Sequence, residues 1–141
     1  MSKMEQTLER YCELIDHLAP DRLDELQPLV TADIHFRDPF NDVTGWPAMR
    51  HVLEDMFEQC GEPRFRVSEQ VLHGKQAYIR WVFEARLPVL GEFSAEGVSR
   101  LAFDHQGLIS EHLDYWDSGP IYLRLPVIGG LLRRVYRRIA A

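Results

Sequence analysis

The 141-residue sequence is poor in cysteine, in long apolar runs and in basic residues. Its two cysteines, Cys12 and Cys60, are too few for a disulfide scaffold, and we expect buried thiols of a cytoplasmic protein. No apolar run reaches the roughly 18 residues of a membrane span, and the N-terminus lacks a signal-peptide core. Sixteen Lys and Arg against 22 Asp and Glu give a net charge of −6, the wrong sign for general nucleic-acid binding.

Motifs for metals and cofactors are also missing. The six histidines show no metal-ligand spacing, and there is no GxGxxG, phosphate-binding loop or GxSxG. We therefore expect neither a metal nor a cofactor. What is present is ordinary globular composition, with 45% hydrophobic and 27% charged residues, enough for the core of one domain.

The charge is unevenly distributed along the chain. Residues 120–141 hold five arginines and no acid, whereas the rest carries 11 basic and 22 acidic residues, a net charge of −11. The break falls at Asp117-Ser118-Gly119-Pro120, a turn sequence. We divide the chain into a body, residues 1–119, and a basic tail, residues 120–141.

Hydrophobic periodicity predicts three helices at the N-terminal end of the chain. Apolar residues from Met4 to Leu18 recur every three or four positions, and Pro20 ends that helix. A short second helix begins after Asp21. A third begins near Trp46 and ends at Gly61.

The remaining body reads as strands. Residues 32–39 lie between the second and third helices, and from residue 64 the apolar period is two, which predicts strands at about 64–73, 76–87, 92–104 and 107–117. Helices followed by a meander imply an α+β fold, with three N-terminal helices packed on one face of a curved, mainly antiparallel sheet. A sheet closed in this way leaves a conical cavity for a small ligand.

Asp38 falls on the apolar face of the first strand, with Ile34 and Phe36. A carboxylate placed there must be paired, reach water or be protonated. It is either a pocket base with a raised pKa or the first residue of an Asx-turn before Pro39.

The last strand has no clean apolar face. If its even positions face the cavity, His112 and Asp114 lie on one wall, about 7 Å apart. If its odd positions form the core, both are solvated.

Two other polar residues also have two interpretations. Tyr11 lies on the apolar stripe of the first helix, typical of a core tyrosine, and Ser99 could donate into the cavity or bond its own backbone.

Four segments resemble the nuclear-transport-factor-two-like superfamily, and within it bacterial ketosteroid isomerases and polyketide cyclases. They are Glu9–Asp16, Ile34–Phe40, Leu101–Gly107 and Tyr115-Trp116, in the expected order. The resemblance covers residues 4–117 and implies a cone-shaped α+β fold that forms a homodimer through its sheet.

The resemblance also implies roles for individual residues. Asp38 matches the general base of the isomerases, and Tyr11 matches the tyrosine that donates to the enolate oxygen. Ser99 stands where the isomerases carry a protonated Asp as second donor, a departure from their pattern. Asp114 is similar in position to the acid/base Asp of polyketide cyclases, with His112 beside it.

On the same basis, the even face of the last strand looks into the cavity. The expected walls around the polar groups are aromatic: Phe36, Trp81, Phe93, Phe103 and Trp116.

The basic tail is an addition to that pattern. Residues 131–141 predict an amphipathic helix with four arginines opposite its apolar stripe. We expect it to pack on its own domain or on a dimer partner with the arginines facing the acidic body; a peripheral membrane contact is the rival interpretation.

Two functions remain open from the sequence. One is an enzyme that transfers protons on a small apolar carbonyl compound, as an isomerase or a cyclase. The other is a module of the same fold that binds a ligand or a protein without chemistry.

Overall fold

The computed structural model describes all 141 residues, and its three N-terminal helices lie where the sequence predicts them. Helix α1 spans Lys3–Asp16 and α2 spans Trp46–Gln59, with a 3₁₀ helix, Pro20–Leu29, after α1. Ser2 caps α1 by accepting from the Glu5 backbone N–H in a capping box. The second helix is 3₁₀ rather than α, and Pro28, which has no N–H to donate, lies inside it.

Six strands form one mostly antiparallel sheet in the order β2-β1-β6-β5-β4-β3. Their bounds are β1 Val30–Arg37, β2 Asp42–Thr44, β3 Gly61–His73, β4 Gln76–Leu87, β5 Gly91–Phe103 and β6 Ile109–Tyr115. Only β1 and β6 pair in parallel. The predicted α+β fold is confirmed, and the short β2 is an element that the sequence did not reveal.

The core lies between the helices and the inner face of the curved sheet. Alternation places Ile34 and Phe36 of β1, and Ser99 and Leu101 of β5, on that inner face. Cys12 is buried, as expected, whereas Cys60 is half-buried, and both thiols are free.

The tail forms two helices, α3 at Gly119–Leu123 and α4 at Ile128–Ile139. Of the two expected positions for α4, its own domain is not the one observed, because α4 packs mainly against α3 and most of its apolar residues stay exposed. Packing on a dimer partner stays a prediction. No tail arginine pairs with an acidic side chain of the body either. No helix of the chain is long and apolar enough to cross a membrane.

Candidate active site

A cavity of about 340 Å³ lies between α2 and the inner face of the sheet. Seventeen of its 24 lining residues are hydrophobic, so it suits a small apolar ligand with a few polar groups. Eight of the predicted site residues line it: Phe36, Asp38, Trp81, Phe93, Ser99, His112, Asp114 and Trp116.

Asp38 lies just after β1 and combines the two alternatives that the sequence left open. Its Oδ1 accepts from the backbone N–H groups of Phe40 and Asn41, at 2.8 and 2.7 Å, which is an Asx-turn. The Asn41 amide also donates to both carboxylate oxygens. The same carboxylate lines the cavity, so the turn holds a functional group at the wall.

Burial raises the pKa of Asp38 above its ordinary value. The hydrogen bonds from Phe40 and Asn41 oppose this rise, and the negative charge of Asp114 adds to it. Desolvation is the largest cause, so the apolar wall outweighs the turn in setting the pKa of Asp38.

Asp114 ends a chain of hydrogen bonds that begins at two aromatic residues. On one side, Trp81 Nε1–H donates to Ser99 Oγ at 2.8 Å, and the Ser99 hydroxyl donates to Asp114 Oδ1. On the other side, His112 Nε2 lies 2.7 Å from the same oxygen. Asp114 Oδ2 makes no hydrogen bond to the protein and is the atom left for a ligand.

His112 is oriented by Tyr11, whose hydroxyl lies 2.6 Å from His112 Nδ1. The tyrosine is fully buried and its hydroxyl has no other partner. Burial also raises the pKa of Tyr11 well above the ordinary value, so the phenol keeps its proton. The network therefore assigns the Tyr11 O–H as donor to Nδ1 and His112 Nε2–H as donor to Asp114.

Tyr11 and Phe103 are not at the cavity wall. Tyr11 lies behind His112, so it orients that imidazole and does not meet a ligand in the cavity. Phe103 pairs with Ile109 beyond a register shift, and both side chains pack into the core. Contact of these two residues with a ligand stays a prediction, since the cavity lining does not include them.

The register shift also explains why β6 has no apolar face. Ile109, an odd position, is buried before the shift, and His112, an even position, is buried after it. A β-bulge inserts one residue and reverses which parity points inward. His112 and Asp114 lie after the bulge, and both line the cavity.

Several cavity residues were missed by sequence reasoning. Asn41 could have been found, because an Asx-turn at Asp38 places its amide beside the carboxylate. Phe40 packs on Trp116 with ring centroids 5.8 Å apart, and Ile121 of α3 completes the wall. No sequence signal placed α3 at the cavity. No group of three or more His, Cys, Asp or Glu side chains is arranged to hold a metal ion.

The curved sheet and its covering helices define an α+β cone fold, with two carboxylates in a mostly apolar cavity. Residues 8–112 match the SnoaL-like domain family, and the chain belongs to that family. Among curated proteins, none matches this chain significantly.

Solved structures agree with this assignment. An NTF2-like protein of unknown function from Exiguobacterium sp. 255-15 is similar at a TM-score of 0.68 and 20% identity, covering 79% of this chain and 98% of that one. A steroid delta-isomerase from Pseudomonas aeruginosa has a TM-score of 0.65 and 21% identity, covering 100% and 97%. A candidate SnoaL-like polyketide cyclase from Shewanella putrefaciens CN-32 has a TM-score of 0.66 and 17% identity, covering 83% and 91%. At these identities the likeness shows the fold alone.

Proposed function

We propose that this protein is an enzyme that moves a proton on a small apolar carbonyl compound, as an isomerase or a cyclase does. The observation that carries the proposal is the pair of carboxylates, Asp38 and Asp114, in one apolar cavity. Asp38 is held by the turn that follows it and Asp114 by donors from β5 and β6, which fixes both positions before a ligand arrives.

In the proposed reaction, ionised Asp38 removes a proton from the carbon beside the carbonyl group. The electron pair of the broken C–H bond moves toward the carbonyl oxygen, and an enol or enolate forms. Burial makes Asp38 a stronger base than an exposed aspartate, because it raises the pKa toward the working pH. Asp38 then returns the proton to a different carbon of the conjugated enolate, which shifts the double bond and isomerises the compound. Alternatively, the enolate carbon attacks a second carbonyl group, whose oxygen takes the proton from Asp38 as the ring closes.

Asp114 acts at the oxygen in this proposal. Its Oδ2 has no protein partner, and we place it where a proton reaches or leaves the carbonyl oxygen as the charge on that oxygen changes. Ser99 and His112 hold the other oxygen of Asp114 in place. Tyr11 contributes through His112 as a positioning residue.

The test measures, by NMR, the exchange of protons between small apolar ketones and heavy water in the presence of the protein. We expect deuterium to enter the carbon beside the carbonyl, and the Asp38→Asn protein to lose about 10²–10⁴-fold in rate. Asp33→Asn is the matched control, since Asp33 is an exposed aspartate on the same strand, and it should keep the wild-type rate. An unchanged rate in Asp38→Asn would contradict the proposal.

A non-catalytic ligand-binding module is the second candidate, and one observation favours it. Every polar hydrogen of Trp81, Ser99 and His112 is already donated within the protein. None of these three side chains then has a hydrogen left for a carbonyl oxygen. Tight binding of a phenolic enolate mimic, unchanged by Asp38→Asn and without deuterium exchange, would support this candidate.

A further inference from the structure

The tail presents an apolar surface that the protein itself does not cover. Viewed down its axis, α4 carries Ile128, Leu131, Leu132, Val135 and Ile139 within one arc, and Arg133, Arg134, Arg137 and Arg138 on the opposite arc. Leu131 is 64% exposed and Ile139 is 80% exposed. A helix of 12 residues is marginally stable alone in water, so its apolar arc needs a partner.

A short sequence repeat extends this surface. Arg86–Gly91 reads RLPVLG and Arg124–Gly129 reads RLPVIG, so the two segments differ at one aliphatic position. Both fold into the same γ-turn, in which the central valine has positive φ, 68° at Val89 and 65° at Val127. In each turn the residue after the valine donates its N–H to the proline carbonyl, at 2.7 Å.

Each turn holds its valine outward, in a conformation that is strained for a β-branched residue. Val89 is 88% exposed and Val127 is 92% exposed. The two segments touch, because the Arg124 guanidinium donates to the Leu90 carbonyl. The two turns are therefore adjacent, and the second leads directly into α4.

Charge identifies the kind of partner. The tail has five arginines and no acid on a body of net charge −11, and none of the five forms an ion pair within the chain. An acidic protein surface could pair with the arginine arc but would leave the opposite apolar arc in water. An anionic bilayer satisfies both, because the apolar arc enters the acyl boundary while the arginines reach the headgroup phosphates.

We propose that α4 and the two turn tips, Val89 and Val127, form a docking surface for an anionic lipid bilayer. The cavity lies beside this surface, since Leu87 directly precedes the first turn and Ile121 belongs to α3, which packs against α4, and both residues line the cavity. Docking would bring the cavity close to the membrane. Entry of an apolar compound from the lipid rests in addition on the proposed function, whereas vesicle binding does not.

The test is co-sedimentation of the full chain with phosphatidylcholine vesicles, with and without phosphatidylglycerol, in the absence of any cavity ligand. We expect binding only when phosphatidylglycerol is present, and weaker binding at high salt. Arg134→Gln with Arg138→Gln should weaken binding about fivefold per arginine. Leu131→Gln with Val135→Gln should weaken it by at least about tenfold.

Val71→Gln is the matched control, because Val71 is an exposed valine of β3 outside the tail, and it should bind like the wild type. Val89→Gln tests the first turn separately and should weaken binding. Unchanged melting temperatures would show that the variants fold. Absent vesicle binding, or equal binding to both vesicle types, would overturn the proposal. The proposal would also be overturned if the wild type self-associates but does not bind vesicles, and the tail variants lose that self-association. A second copy of the chain would then be the occupant.

Discussion

Asp38 shows how one residue serves the turn and the cavity at once. The Asx-turn supplies donors that fix the carboxylate, and the apolar wall raises its pKa. A carboxylate held against an apolar wall is expected to lower the free energy of unfolding, while its raised pKa makes it a stronger base.

This cost predicts a pH-dependent effect of Asp38→Asn on stability. Because burial raises the pKa, folded Asp38 holds its proton more tightly than unfolded Asp38, whose pKa is about 3.9. Its stabilising contribution is complete below that value and is lost as the pH rises through the folded pKa. Asparagine has no such dependence and keeps an oxygen for the turn. The melting temperature of Asp38→Asn relative to wild type should therefore rise with pH above about 4, then level off.

Thermal melts across the acidic range check this expectation, with Asp33→Asn as the exposed control. A difference in melting temperature that does not change with pH would show that Asp38 titrates normally in the folded protein.

Tyr11 leads to a second prediction at the residue scale. Tyr11→Phe leaves His112 Nδ1 buried without a donor, which should cost about 1–3 kcal/mol of unfolding free energy. It also removes the hydrogen bond that fixes the tautomer of the His112 imidazole. Nitrogen NMR of wild type should show a proton on Nε2 and a hydrogen-bonded lone pair on Nδ1, and the variant should lose the Nδ1 hydrogen-bond shift.

Tyr78→Phe is the matched control, since the Tyr78 hydroxyl donates to Gln76 near the surface. It should leave the His112 signals unchanged. A wild-type His112 that carries its proton on Nδ1 would reverse the assigned direction of the network.

Among the secondary-structure elements, sequence periodicity predicted those that extend over several repeats. α1, α2, β4 and β5 have regular patterns, so their faces were predictable. β2 and α3 are too short to give a period. β6 was ambiguous because a bulge, which depends on its neighbour β5, reverses its parity midway.

The candidate site was also predictable only in part. Strand alternation and the resemblance placed eight residues at the cavity, including both carboxylates. The position of Tyr11 behind His112 was not predictable, because it depends on how α1 packs against β6 across 101 residues of sequence. A helix stripe shows that a side chain is buried but not what it contacts.

The pairing of β4 with β5 leads to a prediction at Gly97. This glycine pairs directly with Trp81, and a Cβ there would lie 2.5 Å from the indole ring. Gly97→Ala must therefore displace the indole and break the Trp81–Ser99 hydrogen bond. We expect a loss of about 1–3 kcal/mol in unfolding free energy and weaker ligand binding.

Denaturant unfolding measures the loss. Gly130→Ala is the control, because its Cβ would meet only the end of the Arg133 side chain, at 3.8 Å, and alanine favours the helix. If both variants are equally stable, the close contact between Gly97 and Trp81 does not constrain the sheet.

For the whole molecule, the outer face of the sheet and the tail are separate surfaces. The outer face exposes Tyr78, Val98 and Tyr115 among charged side chains, and the homodimer implied by the resemblance would use this face. That dimer remains a prediction. The tail carries almost none of the core, since only Gly129 of α4 is buried.

This separation predicts the effect of ending the chain at Leu125. The truncation keeps α3, whose Ile121 lines the cavity and whose Tyr122 packs near Phe40 with ring centroids 6.3 Å apart. It removes α4 and Val127 but no side chain of the core. We expect a melting temperature within a few degrees of wild type and unchanged oligomeric state by sedimentation, because both the core and the outer face remain. Vesicle binding should be lost. A truncated protein that aggregates or melts early would instead make α4 a structural helix, because its apolar arc would then be required by the fold.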